Sequence, residues 1–177
     1  MNNNYKNRDS SALFTPVFLI EDSTIYKIKF KHQFKTELYH DGGSIDISFD
    51  GGRKWRTVGR YFRDPTIKWF NTEYVTSLNF IQPGWTGESN GWIDAELNVQ
   101  FDTTAGGIFR FRFGADETFE FSGWAIDSFC IDTTSEPADI YLDVEELENF
   151  GSVAGNLFPN PSVGLTNLPI VTKDFET

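Results

Sequence analysis

The stretch from Tyr26 to Lys35, YKIKFKHQFK, constrains this chain most. Tyr26, Ile28, Phe30, His32 and Phe34 share one parity, while Lys27, Lys29, Lys31, Gln33 and Lys35 share the other. Successive side chains of an extended backbone point to opposite faces, so the pattern specifies a strand with one face in a core and a row of ammonium groups in water. A helix would scatter the same residues around its circumference. The same period returns in 44–50, in 92–99, in 108–113 with Arg110 and Arg112 set between phenylalanines, and in 124–131. Turn signals separate these runs: Gly42-Gly43, Gly51-Gly52, Pro83-Gly84, Gly106-Gly107 and Gly114. Strands of this kind with no helical repeat between them predict an all-β chain, a two-sheet antiparallel β-sandwich.

The aromatic content supports that reading, with 18 Phe, 5 Trp and 6 Tyr against one Met. A chain of 177 residues suits one domain plus a tail and buries roughly two-thirds of its unfolded surface. The texture changes after Asp132, where TTSEPAD leads into an acidic stretch. The boundaries expected are a sandwich over 11–132, an acidic linker or extended arm over 133–154 with an outlying strand at 139–144, and a segment 155–177 too short to fold alone.

A formal charge of −11 argues against nucleic acid or an anionic membrane as a partner. No run approaches membrane-spanning length and MNNNYKNRDS holds no hydrophobic segment, so membrane insertion is not expected. Cys130 is the single cysteine, which excludes an intrachain disulfide and reads as packing in an apolar strand.

Catalytic patterns are weak. GESNG at 87–91 matches Gly-x-Ser-x-Gly, but a nucleophile elbow needs a strand before it, a helix after it and a histidine downstream, and both His32 and His40 precede Ser89. The two histidines lack zinc-hydrolase spacing, His32 reads as a core imidazole, and no paired-carboxylate motif is present. A non-catalytic domain is expected.

The acids are more informative as ligands for calcium, the expected cofactor. Asp127 shares strand parity with Phe129 and Ile131, which predicts a carboxylate on the apolar side that needs a bonded or metal partner. Glu37 and Asp41 lie on the loop leaving the long strand and Asp116 on the loop before the last hairpin; hard oxygens gathered from several loops suit calcium. The alternative for Asp127 is a strand cap that accepts backbone N–H bonds. Trp69 in IKWFN and Trp85 in QPGWTG stand least clearly in strand alternation, which makes them candidates for stacking on a sugar ring.

SFDGGRKW at 48–55 resembles the Asp-box of sialidase-type propeller repeats. It occurs once, whereas a propeller needs several copies at regular spacing, so it reads as a hairpin cap in which Asp50 bonds nearby amides and Trp55 folds back over the turn. Taken in order, TELYHDGGSIDISFDGGRKW, NGWIDAELNV, FRFRFGADET and GWAIDSFCI resemble the MAM-type jelly-roll domain of immune inhibitor A-like metallopeptidases and other secreted bacterial proteins. That resemblance covers roughly 11–132 and implies a concanavalin-like jelly roll whose cation is held by an acid at the position of Asp127 and by acids near the first long strand. Where the family has two successive aspartates, this chain has Asp127 and Ser128. LFPNPSVG at 157–164 is similar to the start of the type A C-terminal sorting domain used for type IX secretion by Bacteroidota, which implies an extracellular or cell-surface address.

Together these readings predict a calcium-stabilised accessory domain for adhesion or recognition, binding a protein or glycan ligand at its loops within a larger secreted protein. A carbohydrate-binding module and a structural spacer of a secreted metallopeptidase are the alternatives.

Overall fold

The computed structural model describes residues 4–78 and 82–142. Among these residues eight strands run in chain order: β1 (Ser10–Ile20), β2 (Ile25–Lys35), β3 (Gly42–Ser48), β4 (Arg56–Thr57), β5 (Ile93–Phe101), β6 (Ala105–Gly114), β7 (Gly123–Thr133) and β8 (Ile140–Leu142). They form two four-stranded sheets, in the orders β1-β6-β3-β4 and β7-β2-β5-β8. The fold is the all-β sandwich that the alternation predicts. Every pairing is antiparallel except that of β8, which lies parallel to β5 with Val99 opposite Ile140.

The core is aromatic and spans both sheets. Phe30 on β2 packs edge-on against Phe111 on β6, with centroids 5.2 Å apart, and against Trp85 at 5.4 Å. Strand β2 follows its sequence parity: Tyr26, Ile28, Phe30, His32 and Phe34 are buried, while Lys29, Lys31, Gln33 and Lys35 are exposed. Strand β3 departs from a half-buried pattern, since all seven residues are buried. Its second face holds Asp46, which accepts Nε and Nη2 of Arg110 at 3.2 and 2.7 Å, and Arg110 in turn lies over the Trp55 ring at 4.1 Å. A buried carboxylate is tolerable there because the guanidinium neutralises it through two N–H bonds to the same oxygen, Oδ2.

The 48–55 hairpin cap forms as expected. Asp50 Oδ1 accepts the backbone N–H groups of Arg53 and Lys54, both at 2.9 Å, and Ser48 Oγ accepts that of Gly52 at 2.8 Å. Gly51 and Gly52 have φ of 73° and 92°, and Trp55 donates its indole N–H to Gly52 O.

Strand β7 carries the main irregularity. Lys29 pairs with Cys130 but Lys31 with Asp127, so Phe30 faces two residues, and the extra one, Ser128, has φ 56°. This β-bulge shifts parity by one residue. Beyond β7, the Glu136 carboxylate accepts a bond from Lys27, and Asp139 accepts the backbone N–H of Asn98 at 2.7 Å, so the acidic arm lies against the sandwich as far as β8. The rest of the expected linker and the LFPNPSVG segment lie outside the described residues.

Candidate functional site

The β2–β3 loop is a tight turn held from two sides. Asp41 N–H donates to Glu37 O at 3.0 Å, closing the turn, and Tyr39 sits within it at φ 66°. The hydroxyls of Thr36 and Thr86 both donate to Asp41 O, at 2.9 and 2.8 Å. Fixed this way, the loop turns Glu37 and Asp41 toward the segment that follows β6. There Asp116 donates its backbone N–H to Asp41 Oδ1 at 2.7 Å.

Glu37, Asp41 and Asp116 each place a carboxylate oxygen within 4.8 Å of the others. Neighbouring donors hold each group in place. Tyr5 Oη donates to Asp41 Oδ2 at 2.7 Å, Thr118 Oγ1 donates to Glu37 and Asp116, and His40 Nδ1 lies 3.3 Å from Asp116 Oδ2. Asp41 is 1% exposed. Burial, assisted by repulsion from Asp116 and Glu37, holds its carboxyl above the usual range despite the bonds from Tyr5 and Asp116 N–H. Asp116 is held below its usual value by the N–H and hydroxyl of Thr118 and by His40. Burial pushes the Tyr5 phenol up, and the Asp41 carboxylate adds to the effect. Three hard anionic oxygen donors from two loops, one of them buried at a charge cost, form a donor set that fits calcium rather than a softer ion.

Asp127 does not join them. Its side chain is exposed, not directed to the apolar face, because the bulge at Ser128 separates its parity from that of Phe129 and Ile131. Ile126 and Phe129 both pack against the core across the bulge, and Asp127 Oδ1 accepts the N–H of Ser128 at 2.7 Å, which is the strand-capping alternative.

The two candidate sugar-stacking tryptophans are core residues, with Trp69 5% and Trp85 2% exposed. Their N–H groups are used internally, Trp69 to Val58 O at 2.8 Å and Trp85 to Trp69 O at 3.1 Å. The segment carrying them folds under the sandwich edge, where Trp85 bridges Gly43 of β3. Irregular local sequence here marks a covering loop and not an exposed one. Trp92, which opens the alternating run 92–99, is 52% exposed. Ser89 of GESNG is a loop clamp: its Oγ accepts Phe34 N–H at 3.0 Å and donates to Gly91 O at 2.7 Å.

His32 is only half satisfied. Trp124 Nε1 donates to its Nδ1 at 3.1 Å, while Nε2 is buried with no partner among the described residues. Burial pushes its pKa down to about 4, so the ring is neutral with its proton on Nε2.

No protein-family model matches the chain, and no curated protein matches it either.

Proposed function

We propose that this chain is a non-catalytic, calcium-stabilised β-sandwich domain that serves adhesion or recognition within a larger secreted or cell-surface protein. The observation that carries the reading is the convergence of Glu37, Asp41 and Asp116, with Asp41 buried and its ionised form disfavoured until a cation arrives. An ion there would tie the β2–β3 loop to the segment after β6 and relieve the repulsion among three carboxylates. The GESNG serine, spent on backbone bonds, supports a non-catalytic role. The MAM-like and sorting-domain resemblances of the sequence supply the secreted setting.

Calorimetry with calcium against a chelated sample tests the proposal. Uptake of calcium together with a melting temperature that rises with the ion supports it. Identical melting in calcium and chelator, with no uptake, would show an acid cluster held by hydrogen bonds alone.

A further inference from the structure

A cavity of about 480 Å³ opens beside the start of β5. His32, Trp69 and Trp85 are buried and form its floor, whereas Lys68, Trp92 and Asp94 are exposed and form its mouth. Its size falls within the range of small-molecule sites. The edge of β5 is available here because β8 covers only Val99–Phe101, and the chain at Lys68 meets β5 through the bond from Glu96 N–H to Lys68 O at 2.8 Å.

Two independent observations indicate that something belongs in the cavity. First, the four other tryptophans all donate their indole N–H to the protein. Among the described residues, Trp92 has neither a hydrogen bond nor a ring partner, and its indole lies at the mouth. Second, His32 is 0% exposed, lines the floor, and has an Nε2 with no acceptor. A buried N–H left unpaired is unfavourable, and a ligand oxygen that enters deeply enough to reach it would satisfy it.

The chemistry of the lining narrows the ligand. An exposed indole face takes an apolar ring face; His32 and Lys68 donate, and Asp94, already bonded to Lys31 at 2.9 Å, accepts. Sugar hydroxyls both donate and accept, and a pyranose carries its C–H groups on a flat face. Lys68 and Asp94 offset one another, and a chain of charge −11 repels acidic ligands. We infer that this cavity is a binding site for a neutral saccharide, with a pyranose face stacked on Trp92 and its hydroxyls bonded to Asp94, Lys68 and His32. The inference rests on the reading of the chain as a recognition domain and names the ligand class.

The test is isothermal titration of the full chain, in calcium and in chelator, with neutral tetrasaccharides of glucose, xylose, mannose and N-acetylglucosamine. At least one is expected to saturate the protein, with a shift in tryptophan emission and slowed exchange of the His32 Nε2–H seen by NMR. Trp92→Ala should weaken that binding at least ten-fold and Asp94→Asn several-fold, while Tyr141→Ala, a change at a 68% exposed ring away from the cavity lining, should leave it unchanged. Failure of every saccharide to bind overturns the inference, as does binding that survives Trp92→Ala. Uptake of aromatic peptides or of acidic glycans alone would also overturn it. Calcium-dependent melting without saccharide binding removes this inference only; saccharide binding through Trp92 without any calcium effect removes the calcium reading only.

Discussion

The indole N–H of Trp124 donates to Nδ1 of His32 at 3.1 Å, which fixes the imidazole as the neutral Nε2–H form in the middle of the aromatic core. Protonation would put a second hydrogen on Nδ1, break this bond and bury a charge. The folded pKa, near 4, lies below the ordinary 6.5. The unfolded chain therefore binds a proton that the folded chain refuses, and stability rises with pH across that window. The contribution is complete above about pH 6.5 and is lost as the pH falls toward 4, a change of about 3 kcal/mol. Urea unfolding at pH 7, 5.5 and 4 checks this; His32→Gln should be less stable at pH 7 and show a flatter slope between 6.5 and 4.

At millimolar calcium, a site with a dissociation constant on the order of 0.1–1 mM should add roughly 0.4–1.4 kcal/mol of stability. Glu37→Gln and Asp41→Asn should remove most of that gain. Asp127→Asn should leave it unchanged, because the bulge places this carboxylate on the exposed face. In chelator the sign for Asp41 runs the other way from His32. Its folded pKa is raised, so its ionisation weakens the fold as the pH climbs through that pKa, and bound calcium abolishes the loss. Melting curves of the three variants with and without calcium separate these outcomes.

Gly43 is packed so closely against Trp124 that an added Cβ would come within 2.2 Å of the ring. Gly43→Ala must displace the indole that bonds His32, so a destabilisation of about 2–4 kcal/mol is expected. An upfield-shifted or lost Trp124 indole N–H signal in NMR would locate the damage at the His32 bond. A stability change under about 0.5 kcal/mol would show that the ring relaxes freely.

Asp50→Ala removes the acceptor of two backbone N–H groups in the 48–55 turn and should cost about 1 kcal/mol. Burial raises the Asp50 pKa, but the N–H groups of Lys54 and Arg53 and the Ser48 hydroxyl outweigh it, leaving the value depressed. Its stabilising effect is therefore present at neutral pH and lost as the pH falls through that depressed value. Denaturant midpoints at pH 7 and pH 3 check both the size and the sign.

Strand alternation made much of the sandwich legible, because parity and burial coincide wherever one face meets the core. The β2 parity holds from Tyr26 to Lys35. Strand β1 was not legible as a period-two pattern: it lies at a sheet edge, carries Pro16, shifts register between Phe14 and Val17, and leaves Leu13, Phe14 and Leu19 exposed. Three of the acids could be brought together from loop positions alone, but the fourth could not be excluded without the bulge, since one inserted residue at Ser128 exchanges the faces of β7. The burial of Trp69 and Trp85 is not legible in the sequence for a related reason. A segment with no period of its own takes its burial from the surface it covers, and neighbouring sequence does not contain that surface.

Trp85 joins the sheets in a way that governs how the molecule opens. Its backbone exchanges hydrogen bonds with Gly43 of β3, with N–O distances of 2.8 and 3.0 Å, while its ring packs on Phe30 and His32 of β2 in the opposite sheet. Peeling either sheet away breaks the main-chain pair or strips the ring, so neither sheet can leave while the other remains intact. Partial opening is confined to the periphery, and the amides of Gly43 and Trp85 should exchange with solvent deuterium only through global unfolding, among the slowest in the chain.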